Sequence, residues 1–96
     1  IYDLDQGRIH WCNTAGLAVW SAHSLDELLA RDYRNKMSPS VARRLQQFRD
    51  DFEHTDARFF ETWTIYPNGV PRTIRVVFSG FRLAGGRLAM FCEVLG

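Results

Sequence analysis

The sequence predicts an α+β fold: one five-stranded antiparallel sheet with three short-to-medium helices on one face, in the order β-β-α-α-α-β-β-β. Three observations predict it. Helix-start residues crowd the first half of the chain, at Asn13, Ser24 and Ser38. Apolar side chains then recur with a helical period at Val41, Leu45, Phe48 and Phe52. From Arg58 onward the period falls to two, punctuated by Pro67-Asn68-Gly69 and Ala84-Gly85-Gly86.

The elements follow in order. Residues 1–4 read as a short strand and Asp5-Gln6-Gly7 as a turn, with Gly7 able to take positive φ. Residues 8–12 are the returning strand. Asn13 can accept from the free N–H groups of a first helical turn, so a short helix is expected over residues 14–20. Ser24 with Glu27 three residues on forms a capping-box pattern; the helix over residues 25–30 sets Leu25, Leu28 and Leu29 on one face. Ser38 as cap, followed by Pro39, opens the longest helix, over residues 40–53. Its apolar stripe opposes a wetted side of Arg43, Arg44, Gln47, Asp50 and Asp51. Residues 58–66 and 70–82 make a hairpin around a three-residue loop. That register sets Glu61 opposite Arg75 and Trp63 opposite Thr73. Residues 87–95 are the last strand.

Composition sets bounds. The 96 residues make one domain, and a hydrophobic content of 46% with 14% aromatics supplies a core. A formal net charge of +1 favours neither nucleic acid nor an anionic membrane as partner. No apolar run approaches the ~20 residues that span a bilayer. Cys12 and Cys92 stand in predicted strands without metal-site spacing and are expected as buried thiols in a reducing cytoplasm. Beginning at Ile1, residues 1–96 are expected to be one domain cut from a longer multidomain protein.

A family resemblance enters with the stretch GRIHWCNTAGLAVWSAHSLDELLARD. Asn13, Ala15, Glu27 and Leu28 match a pattern of a strand ending in Asn, a small-residue helix, a turn and a Glu-Leu helix. Downstream, WTIYPNGVPRTIRVVFSGFRLAGGRLAMFCEV supplies three closing strands, with Asn68-Gly69 at the turn. In this order, and over essentially the whole chain, the set resembles the PAS sensory domain of bacterial signalling proteins. The chain departs from the family where glycines often follow the first two helices; here those places read Ser21-Ala22 and Ala30-Arg31. The resemblance implies a cytoplasmic sensory-box domain that senses a small ligand or mediates dimerisation. Its output module, in the same chain, would be a diguanylate cyclase or phosphodiesterase of cyclic-di-GMP signalling, or a histidine kinase of a two-component system.

The residues themselves suggest no catalytic group. His10 and Cys12 share one face of their expected strand without a third orienting residue, and Asn13 reads better as a cap. Asp26-Glu27 and Asp50-Asp51 diverge around their helices as solvated faces. No metal site is expected. The cysteine motif of flavin photoreceptors is missing, and His54 continues the polar side of the long helix rather than aiming at the sheet, so neither flavin nor haem is expected. An unknown small molecule stays open. Its pocket would be lined by Trp20, Leu28, Leu45, Phe48 and Phe52 from the helices and by Trp63, Ile74 and Val76 from the sheet; the competing reading is that these side chains fill a core.

Both faces of the sheet carry apolar residues. Phe59, Trp63 and Ile65 alternate with Phe60 and Tyr66, Ile74, Val76 and Phe78 with Val77 and Phe81, and Leu88, Met90, Cys92 and Val94 with Ala89, Phe91 and Leu95; one set faces the helices and the other needs cover. The outer face, or flanking helices, is therefore expected to form a homodimer interface. Two further readings are a ligand-free dimerisation module and, more distantly, a small enzyme or hydrophobic-ligand carrier of cone-shaped α+β form.

Overall fold

The structure, a computed structural model, describes residues 1–31 and 37–96. It contains β1 (Tyr2–Asp3), β2 (Arg8–Ile9), α1 (Thr14–Val19), α2 (Leu25–Ala30), α3 (Pro39–His54), β3 (Arg58–Ile65), β4 (Arg72–Arg82) and β5 (Leu88–Val94). The strands form one antiparallel sheet in the order β2-β1-β5-β4-β3, which leaves β2 and β3 at the edges. The α+β class, the element order and the five-stranded antiparallel sheet agree with the sequence reading.

The three caps form as the sequence chemistry dictates. Asn13 Oδ1 accepts from the Gly16 amide at 2.8 Å, Ser24 Oγ from Glu27 at 3.1 Å and Ser38 Oγ from Val41 at 3.2 Å. The Glu27 carboxylate completes the capping box by accepting from the His23 amide. Its acidity is raised by that bond and by the one from Arg31, which hold the carboxyl below its ordinary value.

α1 ends in a left-handed turn. Ala22 N–H donates to the Leu17 carbonyl and Ser21 N–H to Ala18, the paired bonds of a Schellman motif. Ser21 takes φ 52 there, a conformation that usually falls to glycine. Side chains from elsewhere finish the end: Arg72 donates to the Ala18 and Val19 carbonyls, Arg31 to Trp20 and Ser21, and Asn68 to Ser21.

The first hairpin is shorter than expected. Asp3, fully buried, ends β1 by accepting from the Gln6 amide at 2.8 Å and from Arg87 Nε at 2.7 Å. The chain leaves β2 after Ile9, so His10 and Cys12 do not lie on a strand and Cys12 is not the strand residue expected. Cys12 instead packs beneath α1, where a Cβ at Gly16 would stand 2.9 Å from its own Cβ. Asp5, at the turn, accepts from Arg49 Nε at 2.6 Å and from the Leu88 amide at 2.8 Å, tying α3 to the sheet. Those bonds, the backbone one foremost, hold its carboxyl below the ordinary value.

The register between β3 and β4 differs from expectation by one residue. Glu61 pairs with Val76 and Trp63 with Ile74, while Arg75 pairs with Thr62 and Thr73 with Thr64. The cause is the connection. Pro67–Gly69 forms a 3₁₀ turn with Asn68 at φ 53, and Val70 and Pro71 then stay outside the ladder, lengthening the loop to residues 66–71. Pro71 has no N–H to offer a ladder. Because a slip of one residue exchanges the faces, this register gathers Phe59, Trp63, Ile74, Val76 and Phe78 on the side of α3.

α3 seats closely on the central strands. A Cβ at Gly80 would lie 2.5 Å from the Cβ and Cγ of Phe52, so only glycine lets the helix approach. Two substitutions should move stability in opposite directions. Gly80→Ala is expected to cost about 1–3 kcal/mol by forcing Phe52 off its seat. Ser21→Gly is expected to add about 0.5–1 kcal/mol by removing left-handed strain, partly offset by unfolded-state entropy. Urea unfolding of both variants checks this; equal stability of Gly80→Ala and wild type would contradict the packing described.

Candidate functional site

The space between α3 and the sheet is filled with rings. Phe48, with no exposed surface, stands 5.9 Å from Phe52, 5.3 Å from Phe59, 5.1 Å from Phe78 and 6.4 Å from Trp63, centroid to centroid. Of the eight residues expected to line a pocket, Phe48, Phe52, Ile74 and Val76 belong to one buried cluster, with Leu45 and Trp63 packed against it. Leu28 is buried outside that cluster, and Trp20 is the C-terminal cap of α1. Offset and edge-on ring packing at these separations is a core arrangement.

A different concavity opens at the edge of the sheet. A groove of about 290 Å³ runs between the N-terminal half of α3 and β3, lined by Ser40, Val41, Arg44, Glu61, Thr62, Trp63 and Thr64. Trp63 is the one residue it shares with the expected pocket. Arg44, expected on the wetted side of α3, turns inward instead. Its guanidinium lies 4.2 Å from the Phe48 ring centre and 5.5 Å from that of Phe59, and it pairs with the Glu61 carboxylate. The reason is that Glu61 shares the apolar parity of β3 with Phe59 and Trp63, and a half-buried carboxylate needs a counter-charge.

Glu61 also accepts from Trp63 Nε1 at 2.9 Å. Burial pushes its carboxyl upward, but the Arg44 and Trp63 hydrogen bonds and the Arg44 charge outweigh burial, so its pKa lies below the ordinary 4.5. The site therefore holds one internally neutralised ion pair, an indole edge, the Val41 side chain and a hydroxyl at Ser40. Nothing in the sequence periods marks it. The one available signal was an acidic residue on the apolar parity of a strand.

The other reactive residue types lie apart from the groove. Cys92 is in β5, its thiol pushed up to about 11 by burial, and it donates weakly to the Met90 carbonyl. Burial also raises the Cys12 thiol, and neither cysteine forms a disulfide. His10, His23 and His54 are exposed; His54 Nδ1 donates to the Asp50 carbonyl at 2.8 Å. Among the described residues no three His, Cys, Asp or Glu side chains gather as a metal-binding group, and no helix is long and apolar enough to cross a membrane.

The outer face of the sheet presents Phe60, 76% exposed, and Phe91, 40% exposed. Val77 and Ala89 on this face are buried; Val77 is paired with Phe60 and Glu93, and Ala89 with Phe81 and Asp3. No family model, no curated protein and no solved structure matches the chain.

The Glu61 ion pair gives a pH-dependent prediction. A carboxyl whose folded-state pKa is depressed contributes stability above its unfolded value and loses it as pH falls through the folded value. Glu61→Gln is therefore expected to cost on the order of 1 kcal/mol at pH 7. The difference from wild type should shrink as pH falls from about 5 toward 3. Thermal melts of both proteins across that range check it, and a difference independent of pH would contradict the assignment.

Proposed function

We propose that this chain is a PAS-like sensory and interaction domain of a bacterial signalling protein, cytoplasmic, working without catalysis of its own. It receives a stimulus, as a small ligand or as a change in self-association, and passes it to an output module further along the same chain. The output expected from the resemblance is cyclic-di-GMP turnover or a histidine kinase. The reading rests on the motif-bearing first half and the closing strands, and the observed α+β architecture is compatible with it.

One observation carries it furthest: a sheet with helices on one face and an apolar band on the other. Phe60 and Phe91 stand out from a surface whose neighbours, Val77 and Ala89, are already dry. An apolar face of this kind favours docking against a second copy or flanking helices. A shift in that packing would move β5 and whatever follows Gly96.

The ring-filled core favours the second reading, a dimerisation module with no ligand inside. The two readings differ in a simple measurement. Light scattering after size exclusion is expected to give a dimer, weakened at least tenfold by Phe91→Ser. Native mass spectrometry and absorbance of the same preparation then report whether a metabolite or chromophore is retained. A strictly monomeric wild-type protein at high concentration, with nothing bound, would count against both readings.

A further inference from the structure

The backbone of β3 offers hydrogen bonds that its own sheet does not take. In β4, Arg75 exchanges bonds with Leu95 and Gly96, and Leu83 just beyond it donates to Arg87, so the odd-numbered residues there turn toward β5. The alternation of an antiparallel ladder then turns Ile74, Val76 and Phe78 toward β3. Their partners are Trp63, Glu61 and Phe59. The N–H and C=O groups of Phe60, Thr62 and Thr64 consequently point away from the sheet, along an edge strand of eight residues. Among the described residues no strand pairs with that edge, and a long unpaired edge is a template for another strand.

The groove described above lies along this edge. Thr62 and Thr64 line it although their side chains stand on the outer face, as the hydrogen bond between Thr64 Oγ1 and Thr73 Oγ1 at 3.2 Å records. Their backbone is therefore what reaches the groove. We infer that β3 and the N-terminal half of α3 form a receptor for an extended peptide, which adds as a sixth strand by pairing with Phe60, Thr62 and Thr64. One of its alternate side chains would enter the groove between Val41 and Trp63. This inference does not depend on the sensory reading.

The occupant follows from the surroundings. A second copy of β3 would bring Phe59, Glu61 and Trp63 already covered by its own α3, and the two helices would compete for one groove. A strand with no helix over it fits. The groove's own ion pair is closed on itself, so the inserted side chain is uncharged and apolar, matching Val41 and the indole. Arg58, at the start of the same edge strand, is 61% exposed and only loosely paired, 3.5 Å from Glu93. The peptide therefore carries an acidic residue flanking its apolar one. Strand addition with a pocket for alternate side chains is an established mode of peptide capture.

The test is selection from a displayed library of random heptapeptides on the immobilised protein, followed by affinity measurements on the enriched peptides. The expected winners alternate, with an apolar residue flanked by Asp or Glu. Thr62→Pro removes an N–H that the sheet does not use, so the variant keeps its fold by circular dichroism and binds at least tenfold more weakly. Arg58→Glu keeps the fold and shifts selection from acidic to basic flanks. Should Thr62→Pro unfold, slowed amide exchange at Phe60, Thr62 and Thr64 of wild type on adding an enriched peptide is the equivalent positive result. No enrichment, or enriched peptides that leave those amides unchanged and bind a folded Thr62→Pro variant equally, overturns the inference. A wild-type dimer that Thr62→Pro converts to monomer would give the edge to a second copy and overturn the assignment of the occupant.

Discussion

The pairing of β3 with β4, in the register where Trp63 meets Ile74, decides which side chains α3 can cover. With that register, Phe59, Trp63 and Ile65 join Ile74, Val76 and Phe78 on one side, and Phe48 and Phe52 descend among them. Slipped by one position, the same strand would set Phe60 under the helix and leave three large side chains in water. Burial of rings of this size contributes ~2–3 kcal/mol each, enough to choose between the two. Gly80 is the complementary requirement: it removes the atom that would hold Phe52 away.

The same constraint produces the features that bear on function. Placing Glu61 on the inner side draws Arg44 across the Phe48 ring, and the groove opens where that pair separates α3 from the edge strand. Placing Phe60 on the outer side creates the most exposed large apolar residue among the described residues. Both proposed surfaces, the outer face and the β3 edge, are thus consequences of one pairing. At the other end of α3, charges take over: Asp5 binds Arg49, and Glu53 binds Arg49 at 3.1 Å and Arg82 at 3.3 Å, so the helix is tied down at its C-terminal half.

Much of this was legible in the residues. The caps at Asn13, Ser24 and Ser38 announce themselves because one short polar side chain before an apolar run has few other uses. The stripe from Val41 to Phe52 and the period-two strands gave the layers and the inward parity. The register was not legible, because it depends on where pairing resumes after Gly69, and Pro71 withholds the ladder from residues that look like strand. The early hairpin was overread for a related reason: Asp3 satisfies the Gln6 amide itself and closes the strand. As for the site, Phe48, Phe52, Ile74 and Val76 share one buried cluster, in which the Phe48 and Phe52 rings pack against each other and against the sheet. The groove escaped notice because Arg44 looks like any exposed helical arginine until Glu61 is known to face it.

Amide hydrogen exchange along β3, followed residue by residue by NMR in the protein without added peptide, tests this account most directly. The observed register predicts slow exchange at Phe59, Glu61, Trp63 and Ile65, whose N–H groups bond β4, and fast exchange at Phe60, Thr62 and Thr64. The opposite alternation would place β3 one residue away from where the core, the ion pair and both surfaces require it.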